Sequence, residues 1–341
     1  MRILITGGTG YIGSHTAVEL QNSGYEVLIL DNLSNSDASV IDNIEKITGK
    51  RPLFAKTDLC DRAELKDYFK NNKEIDAVIH FAAFKAVGES VREPMMYYRN
   101  NVTGMINLLE EMKENKISKL VYSSSCTVYG EADSLPVTEE SEIKKAESPY
   151  GFTKQIGEQM LFDISETGEI HSVILRYFNP TGAHDSSLIG ELPSGIPNNL
   201  VPYITQTAIG ERDMLTVNGN DYDTPDGTNI RDYIHVVDLA KAHLAALDRI
   251  LRNKSGDNAE VFNLGTGKGN SVMEVINSFE KVSGIKLNYR IGPRRKGDVV
   301  SIYSDTKKAN ELLGWKAERD LDNMMLTSWN WQKAISAIKN N

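Results

Sequence analysis

The opening of the chain constrains the fold more than any other stretch of the sequence. A short apolar run at residues 2–6 leads into Gly7, Gly10 and Gly13, and an amphipathic helical pattern follows with Ile12 on its apolar side. Glycine permits a tight turn and a close backbone approach to a ligand, and the first turn of a helix presents free N–H groups to an anion. A buried strand, a glycine turn and a helix N-terminus therefore predict a cradle for a pyrophosphate.

The segment after this helix indicates which nucleotide the cradle binds. Residues 25–30 are mostly apolar and lead into Asp31, where a carboxylate would accept hydrogen bonds from the hydroxyls of an adenosine ribose. It would also repel the extra phosphate of NADP, and residues 32–37 contain no arginine to bind that phosphate. The pattern favours NAD, although Asp31 could also be a simple turn residue. The glycine spacing is G-x-x-G-x-x-G rather than the G-x-G-x-x-G of other Rossmann proteins.

Alternating strand and helix patterns continue through the first half of the chain. Strand patterns occur at residues 53–56, 77–81 and 119–124, and helical patterns occur near residues 40–48 and from about Pro94. This alternation predicts an α/β fold with a Rossmann-type, doubly wound parallel sheet. In such a sheet ligands bind at the carboxyl ends of the strands.

The second half of the chain is expected to add a smaller α/β unit for the substrate. A helical pattern at residues 237–251 and a strand pattern at 261–264 are expected to return to the first sheet, so that the two units interleave. The expected boundaries are an NAD-binding Rossmann unit at residues 1–180, with roughly 230–264 returning to it, and a C-terminal substrate-binding unit at residues 181–229 and 265–341.

Charge and cysteine content limit the function classes. The formal net charge of −9 argues against nucleic acid as the main partner, so the expected ligand is a small molecule. Cys60 and Cys126 form no close-spaced metal or redox motif, the six histidines show no metal-binding spacing, and free cysteines fit a cytoplasmic protein. No window approaches the ~18 consecutive apolar residues of a membrane span, and the N-terminus lacks a signal-peptide pattern. We therefore expect neither a metal nor a membrane partner.

The segment from Ser148 to Lys154 contains the strongest candidate for a reaction centre. Ser148 is a typical N-cap and Pro149 a typical first helical residue, so Tyr150 and Lys154 lie one turn apart on one face of a helix. A phenol of pKa ~10 needs about 4 kcal/mol to become a base at neutral pH, and a positive charge ~4 Å away supplies about that much at an effective dielectric of ~20. The sequence predicts that Lys154, helped by an oxidised nicotinamide, lowers the pKa of Tyr150.

A second tyrosine–lysine pair, Tyr303 and Lys307, has the same spacing. No nucleotide-binding pattern leads into it, and such pairs arise by chance, so we interpret it as unrelated to the reaction. The third candidate for the reaction centre is Ser125, because the serines from Ser123 onward end a strand pattern at the sheet edge where the helix of Tyr150 is expected. Serines at strand ends are also common turn residues.

Arginines in the second half of the chain are candidates for binding a diphosphate. A guanidinium forms paired hydrogen bonds with phosphate oxygens, and Arg231, Arg294 and Arg295 stand out in an otherwise acidic chain. Each of them could also be a solvated surface charge.

Taken in order, the motifs resemble those of the extended short-chain dehydrogenases/reductases, in the group of NAD-dependent epimerases and dehydratases of nucleotide sugars. The likeness covers nearly the whole chain, and so many motifs in one order make it specific. The motifs are TGGTGYIGSH (6–15), LDNLSNS (30–36), HFAAFKAVGES (80–90), NNVTG (100–104), SSSCTVYG (123–130), SPYGFTK (148–154), LRYFNPTGAH (175–184), GIPNNLVPY (195–203), GTNIRDYIHV (227–236) and PRRKGD (293–298).

The resemblance implies roles for individual residues. Tyr150, Lys154 and Ser125 would be catalytic, with Ser125 and Tyr150 addressing the 4-hydroxyl of the sugar. The residues implied to hold NAD are Gly7, Gly10, Tyr11, Ile12, Gly13, Asp31, Asn32, Leu33, Ser34, Asn35, Ser36, Asp58, Leu59, Phe81, Ala82, Ala83, Phe84, Lys85, Asn100, Ser125, Tyr150, Lys154 and Phe178. Those implied to hold a UDP-sugar are Ser125, Tyr150, Asn179, Asn199, Leu200, Thr216, Asn218, Arg231, Arg295, Asp298 and Ile302.

The activity implied by the resemblance is the reversible interconversion of UDP-glucose and UDP-galactose, as in galactose metabolism, by hydride transfer to and from bound NAD through a 4-keto sugar. Another NAD-dependent nucleotide-sugar epimerase or a reductase of the same family is the alternative. The related 4,6-dehydratases carry Thr-Asp-Glu just before Val-Tyr-Gly, where this chain has Ser125, Cys126 and Thr127. Without carboxylates an elimination lacks its proton-transfer groups, which argues against dehydratase activity.

The resemblance also implies a substrate range and an assembly. Many family members have tyrosine at the position of Ile302, where bulk excludes an N-acetyl group, so we expect at least weak activity on UDP-GlcNAc and UDP-GalNAc. A homodimer is expected through the helices around residues 94–113 and 153–164. The first of these carries an apolar stripe that could equally pack on its own sheet, formed by Met105, Leu108, Leu109 and Met112.

Overall fold

The structure is a computed structural model that describes residues 1–193, 195–295 and 298–339. Two positions of the PRRKGD motif, 296 and 297, lie outside the described residues. The elements of the first half are β1 (Arg2–Thr6), α1 (Tyr11–Asn22), β2 (Glu26–Asp31), α2 (Ser39–Thr48), β3 (Leu53–Lys56), α3 (Arg62–Asn71), β4 (Ala77–His80), α4 (Val87–Arg92), α5 (Pro94–Tyr97), a π-helical segment (Tyr98–Thr103), α6 (Gly104–Glu114), β5 (Lys119–Ser123), a 3-10 turn (Cys126–Tyr129) and α7 (Pro149–Glu166).

The elements of the second half complete one large sheet and form two smaller ones. They are β6 (His171–Tyr177), β7 (Asn179–Thr181), α8 (Leu200–Ala208), β8 (Leu215–Asn218), β9 (Ile230–His235), α9 (Val236–Leu251), β10 (Ala259–Leu264), β11 (Gly269–Ser271), α10 (Val272–Ser283), β12 (Tyr289–Gly292), β13 (Ser301–Ile302), α11 (Lys307–Leu312) and α12 (Leu321–Lys339).

Across the described residues, the large sheet has the strand order β10-β6-β5-β4-β1-β2-β3, and its neighbouring strands are all parallel. The predicted doubly wound parallel sheet is therefore confirmed. Because parallel strands end at the same edge, the loops that follow β1, β2, β4, β5 and β6 gather there. Most of the residues predicted to bind NAD lie on these loops and on the loop after β3, and the others lie in α1, at the end of β2, in the π-helical segment and in α7.

Both faces of the sheet are buried, which explains why its strands are almost continuously apolar. Alternate residues point to opposite faces, so Ile3 and Ile5 join a core with α1, α2 and α9, whereas Leu4 joins a core with α3, α6 and α7. The apolar stripe of α6 lies in the second core, where Met105 and Met112 are buried. The stripe therefore packs on its own sheet, and a dimer must use other side chains.

The second unit is built around β9, which pairs with β7, β11 and β13. A separate core of α8, α10 and α12 packs beside it, together with the parallel pair β8 and β12. The helix α9 packs against α1, and β10 pairs with β6, so both return to the first sheet. The return begins with α9 rather than at residue 230, because residues 230–235 form β9 in the second sheet.

The helical stretch expected from Pro94 is interrupted by the π-helical segment Tyr98–Thr103 before α6 continues it. Such segments insert an extra residue into a helical turn and are frequent at functional sites. Asn100 and Asn101 lie within it. In the described part of the chain, no helix combines the length and the apolar character needed to cross a bilayer.

Candidate active site

The glycine turn between β1 and α1 has the geometry of a phosphate cradle. Gly7 adopts a left-handed conformation with φ of 72°, and a Cβ on it would lie 2.7 Å from the main-chain nitrogen of Ala82. A Cβ on Gly13, in the first turn of α1, would lie 2.3 Å from the carbonyl oxygen of Gly7. Larger residues would therefore push the turn away from the helix, and the backbone could not approach an anion closely.

Asp31, the last residue of β2, organises the loop beside this turn. Its Oδ1 accepts hydrogen bonds from Leu33 N at 2.9 Å and Ser36 Oγ at 3.2 Å, and its Oδ2 accepts one from Thr9 N at 3.2 Å. A carboxylate has about four acceptor sites, so capacity remains for a hydroxyl donor. This arrangement fits the ribose of a dinucleotide next to the glycine turn.

The remaining residues predicted to hold NAD lie on neighbouring loops. Asn32 Nδ2 donates to Asp58 Oδ2 at 3.1 Å, which ties the loop after β2 to the loop after β3. Phe81 N and Ala82 N both donate to the carbonyl oxygen of Thr6, which fixes the start of the loop after β4 beside the glycine turn. The other positions are distributed as Leu33, Ser34, Asn35 and Ser36 after β2, Leu59 after β3, Ala83, Phe84 and Lys85 after β4, Asn100 in the π-helical segment, and Phe178 after β6.

The first turn of α7 places two of the predicted catalytic residues at the same edge. Ser148 Oγ accepts a hydrogen bond from Gly151 N at 3.1 Å and Pro149 is the first helical residue, as predicted. Tyr150 and Lys154 are both buried. Ser125 follows β5, accepts a hydrogen bond from Thr127 N at 3.2 Å, and lies within hydrogen-bonding reach of Tyr150, where it lowers the pKa of the phenol.

The charge pattern around Tyr150 differs from the sequence-based expectation. Burial raises the pKa of Tyr150, Tyr177 raises it further, and the hydrogen bond with Ser125 only partly offsets these effects. Lys154 Nζ donates to the carbonyl oxygen of Ser123 at 2.6 Å and lies 4.9 Å from the ring centroid of Tyr122. In the protein by itself, desolvation outweighs the charge of Lys154, which is bonded elsewhere. The predicted lowering of the Tyr150 pKa also invokes an oxidised nicotinamide and therefore stays a prediction.

The burial of Lys154 affects its own charge. Burial lowers the pKa of its ammonium to about 8, and the negative charge of Glu158 acts in the opposite direction. Since this pKa stays above 7, the protonated form of Lys154 predominates at neutral pH. A positive charge therefore remains available at the reaction centre.

Two of the three candidate arginines meet at one carboxylate. Arg295 Nε lies 3.1 Å from each oxygen of Asp298, and Arg231 lies 3.9 Å from Asp298 Oδ1 on the other side. Ile302 is paired with Arg231 in the register of β13 and β9, and its buried side chain packs in an apolar cluster with Phe178. The structure thus brings together four of the residues predicted to face the UDP-sugar, namely Arg231, Arg295, Asp298 and Ile302.

Arg294, the third candidate arginine, is paired with a different carboxylate. Its Nε donates to Asp221 Oδ1 at 2.8 Å, and its guanidinium lies 4.3 Å from the ring centroid of Tyr222. Thr216 and Asn218 lie on β8, in the same part of the second unit. Arg294, the third candidate for the diphosphate, is thus held by a local acid and an aromatic face rather than by Asp298.

Asn199 and Leu200 lie at the start of α8, and Asn179 begins β7. Asn199 occupies the N-cap position, but its side chain makes no capping hydrogen bond. Its Nδ2 donates instead to Glu191 Oε1 at 2.7 Å, and Lys85 Nζ donates to the same oxygen at 3.0 Å. The NAD-side loop after β4 and the substrate-side helix α8 are thus joined through one carboxylate.

Known proteins resemble this chain over nearly its full length. The model of the GDP-mannose 4,6 dehydratase family matches residues 4–327. The UDP-glucose 4-epimerase of Bacillus subtilis is 52% identical over 335 residues, which cover 98% of this chain and 97% of that protein. The chain belongs to the UDP-glucose 4-epimerase family.

A further relative and a solved structure support the assignment to the UDP-glucose 4-epimerase family. The UDP-glucose 4-epimerase of Haemophilus influenzae is 52% identical over 334 residues, covering 98% of each chain. The crystal structure of UDP-glucose 4-epimerase from Bifidobacterium longum in complex with NAD+ and UDP superimposes with a TM-score of 0.93 at 48% identity, covering 98% of each chain. The family resemblance predicted from the motifs is confirmed.

The matching family model is named after a dehydratase, but the turn after β5 distinguishes this member of the UDP-glucose 4-epimerase family. The positions that carry carboxylates in the dehydratase motif are here Cys126 and Thr127. Burial raises the pKa of the Cys126 thiol to about 12, so it does not replace an acid or a base at neutral pH. The turn therefore lacks groups for removing water from a sugar.

Two residues of the site were not predicted from the sequence. Asn101 Oδ1 accepts a hydrogen bond from Phe84 N at 2.8 Å, and its Nδ2 donates to Thr153 Oγ1 at 3.0 Å, so it joins the NAD-side loop to the catalytic helix. Glu191 joins Lys85 to Asn199 in the same manner. The doubled asparagine of the NNVTG motif could have drawn attention to Asn101, whereas no local pattern marks Glu191.

Proposed function

We propose that this chain interconverts UDP-glucose and UDP-galactose with NAD held in the same site. The observation that carries the proposal is the meeting of Ser125, Tyr150 and Lys154 at the carboxyl edge of the sheet, next to the glycine turn. Relatives at about 50% identity are UDP-glucose 4-epimerases, and the structural neighbour from Bifidobacterium longum is a complex with NAD+ and UDP. Inversion at carbon 4 of a hexose needs a site for NAD and a site for the UDP-sugar, both next to one proton-transfer group.

The residues of the first unit fit NAD. Gly7 and Gly13 would admit the pyrophosphate, Asp31 would accept a ribose hydroxyl, and Lys154 would face the nicotinamide ribose. Bound NAD supplies an acceptor for the hydrogen on sugar carbon 4 and returns it later, so that the cofactor ends as it began. The remaining NAD contacts proposed from the resemblance lie on the loops described above.

Tyr150 would take the proton of the sugar 4-hydroxyl and give it back after the hexose has presented its other face. Because burial raises the pKa of Tyr150, the phenol is a weak base until positive charge is added beside it. Lys154 supplies one such charge at neutral pH and an oxidised nicotinamide a second. Ser125, already within reach of the phenol, would orient the same hydroxyl.

Arg231 and Arg295 would hold the diphosphate while the hexose turns. Both guanidinium groups lie near Asp298, so they remain correctly oriented and close together before the substrate arrives. Ile302, beside Phe178, would border the hexose, and an isoleucine there leaves room that a tyrosine would fill. We therefore propose additional activity, at least weak, on UDP-GlcNAc and UDP-GalNAc.

The test is turnover of UDP-galactose by the purified protein without added NAD, followed by denaturation to release and count the cofactor. We expect UDP-glucose to form and about one NAD to be recovered per chain. A reductase of the same family, the second candidate, would instead need added cofactor and consume it. A protein that forms no UDP-glucose under either condition would overturn the proposal.

We also propose a homodimer and a cytoplasmic setting. The proposed dimer surface runs along the helices around residues 94–113 and 153–164, where exposed apolar side chains include Met95 and Phe152. The expected outcome of sedimentation is twice the monomer mass, and Met95→Glu with Phe152→Glu should shift it towards 37.9 kDa. Free Cys60 and Cys126 fit a reducing compartment.

We propose that each of the two units of the fold binds one of the two ligands. The first unit, residues 1–180 with the returning α9 and β10, would hold NAD, and the second unit would hold the UDP-sugar. This assignment rests on where the glycine turn and the arginines lie.

A further inference from the structure

A buried ion pair lies one helical turn beyond Lys154. Glu158 and Arg176 each expose only 4% of their side chains. Arg176 Nε lies 2.9 Å from Glu158 Oε1, and its NH2 lies 2.6 Å from Oε2, so that the pair is bidentate. Glu158 is on α7 and Arg176 is on β6, so the pair locks the catalytic helix to a central strand of the sheet.

The same pair reaches the other catalytic element, the turn that carries Ser125. Ser124 Oγ donates to Glu158 Oε1 at 2.5 Å, directly before Ser125 in the chain. Arg176 NH1 lies 3.0 Å from the hydroxyl of Tyr129, the residue that ends the 3-10 turn begun by Ser125. One buried pair therefore holds both ends of the Ser125 turn and the helix of Tyr150 and Lys154.

Charge is the second contribution of Glu158. Its position four residues after Lys154 places the two side chains on the same face of α7. Burial lowers the pKa of Lys154 to about 8, and Glu158 is the group that opposes this effect. Arg176 neutralises part of the Glu158 charge but holds the carboxylate in place.

We propose that Glu158, clamped by Arg176, is a positioning residue that aligns Lys154 with the Ser125 turn and keeps the lysine in its charged form. The inference rests on the proposed function, because it assigns Lys154 the role of supplying positive charge at the reaction centre. Glu158 does not touch the reacting atoms and acts through Lys154 and Ser124.

Other titratable groups face this pair or Lys154 and could alter its effect. They belong to every element packed against it, namely Tyr122 on β5, His80 on β4, Tyr177 on β6, Tyr150 on α7, Tyr129 in the 3-10 turn, and Glu139, whose carbonyl oxygen accepts from Arg176 NH1 at 3.4 Å. Burial lowers the pKa of His80 to about 3, and burial raises the pKa values of the four tyrosines, so these five groups are neutral near pH 8 in the protein without cofactor.

The experiment compares the holoenzyme with two variants. Glu158→Gln keeps the shape but leaves Arg176 as an unpaired buried charge, which can prevent folding. The double variant Glu158→Gln/Arg176→Gln removes both charges and leaves none unpaired, so it is the decisive one. Glu166→Gln, an exposed position near the end of the same helix, is the matched control.

The first readout is the pH titration of Lys154, monitored through the NMR signal of its labelled Cε. This signal is assigned because it is lost in Lys154→Arg. The expected midpoint is about 8 in the parent and in Glu166→Gln. In the double variant it should still fall by about one pH unit, because the lost Glu158 carboxylate raises the pKa of Lys154, whereas the lost Arg176 guanidinium is not among the groups that shift it. The second readout is the pH at which the rate with UDP-galactose declines on the alkaline side. This pH should fall together with the Lys154 midpoint.

Each result decides the question. A midpoint that does not move overturns the inference, whatever happens to the rate, because a purely structural pair would lower the rate at every pH without changing the lysine titration. A midpoint that moves while the pH of the alkaline decline stays also overturns it. If the parent does not convert UDP-galactose, the proposed function fails, and the inference is judged on the Lys154 midpoint alone.

Discussion

At the scale of single residues, the proposed reaction depends on a buried phenol that is a weak base by itself. Tyr150→Phe removes the proton acceptor but keeps the ring that packs in the site, where Tyr150 is 7% exposed. We expect kcat with UDP-galactose to fall roughly 10³-fold, within the usual range for loss of a general acid–base group. The NAD recovered after denaturation should match the parent, because the change spares the glycine turn and Asp31.

The second tyrosine–lysine pair provides the matched control for this prediction. Tyr303 lies before α11, which begins at Lys307, so the two side chains do not share a helix face. Tyr303→Phe should therefore leave kcat within about twofold of the parent, since the hydroxyl has no role in the proposed proton transfer. Equal losses in the two variants would contradict the assignment of Tyr150.

The substrate range is a second prediction at this scale. Ile302 is buried beside Phe178, and Ile302→Tyr would add an aromatic ring at the proposed hexose border. We expect the ratio of the UDP-GalNAc rate to the UDP-galactose rate to fall about tenfold or more, because a steric clash acts only on the larger substrate. Ile302→Val is the control and should not lower the ratio. An unchanged ratio in Ile302→Tyr would remove Ile302 from the hexose border.

At the scale of elements, the glycine turn makes a prediction about cofactor retention. Gly13→Ala would place a Cβ 2.3 Å from the carbonyl oxygen of Gly7, which must shift the turn relative to α1. We expect loss of most of the retained NAD and destabilisation of about 1–3 kcal/mol from overpacking. NAD released on denaturation and the urea midpoint of unfolding measure the two effects.

Gly256→Ala is the control for that variant. Gly256 is exposed, and a Cβ there would meet no atom within 4 Å. The control should retain the parent amount of NAD. If Gly13→Ala also retained it, the close approach of the backbone to a pyrophosphate at this turn would be refuted.

The helices and strands were easier to predict from the sequence than the contacts that their side chains make. The apolar periods and the Ser148–Pro149 signal correctly indicated six of the seven strands of the large sheet and the start of α7, because local chemistry determines both, whereas β6 was not predicted. The partner of Arg294 could not be predicted, because Asp221 lies far from it in the sequence. The π-helical segment was missed because no residue pattern marks an extra residue within a helical turn.

At the scale of the whole molecule, the fold class followed from the alternation of strands and helices, whereas the contacts between the two units did not. Lys85 and Asn199 lie far apart in the sequence and meet at Glu191 only in the folded chain. The burial that raises the pKa of Tyr150 could not be predicted for a related reason. A spacing of four residues reveals the nearby lysine but not the burial contributed by several other elements.

The buried histidines make the stability of the whole molecule depend on pH. Burial lowers the pKa of His15, His80 and His235 to about 3 and that of His243 to about 4, below the value of 6.5 for a free histidine. The unfolded chain therefore binds protons that the folded chain does not bind, and stability is lost as the pH falls through 6.5 towards 3. Each of these histidines should cost about 2 kcal/mol between pH 7 and pH 5.

His243→Leu tests this prediction with one group. Leucine fills a similar volume within α9 but does not titrate, and the His243 Nε2 that it replaces has no hydrogen-bond partner among the described residues. Three carboxyl groups whose pKa burial raises, Glu19, Glu111 and Glu139, act in the opposite direction but are common to parent and variant. The loss of unfolding free energy from pH 7 to pH 5, measured by urea titration, should therefore be about 2 kcal/mol smaller in His243→Leu. An identical loss in both proteins would mean that the ring of His243 becomes protonated in the folded chain as easily as in the unfolded one.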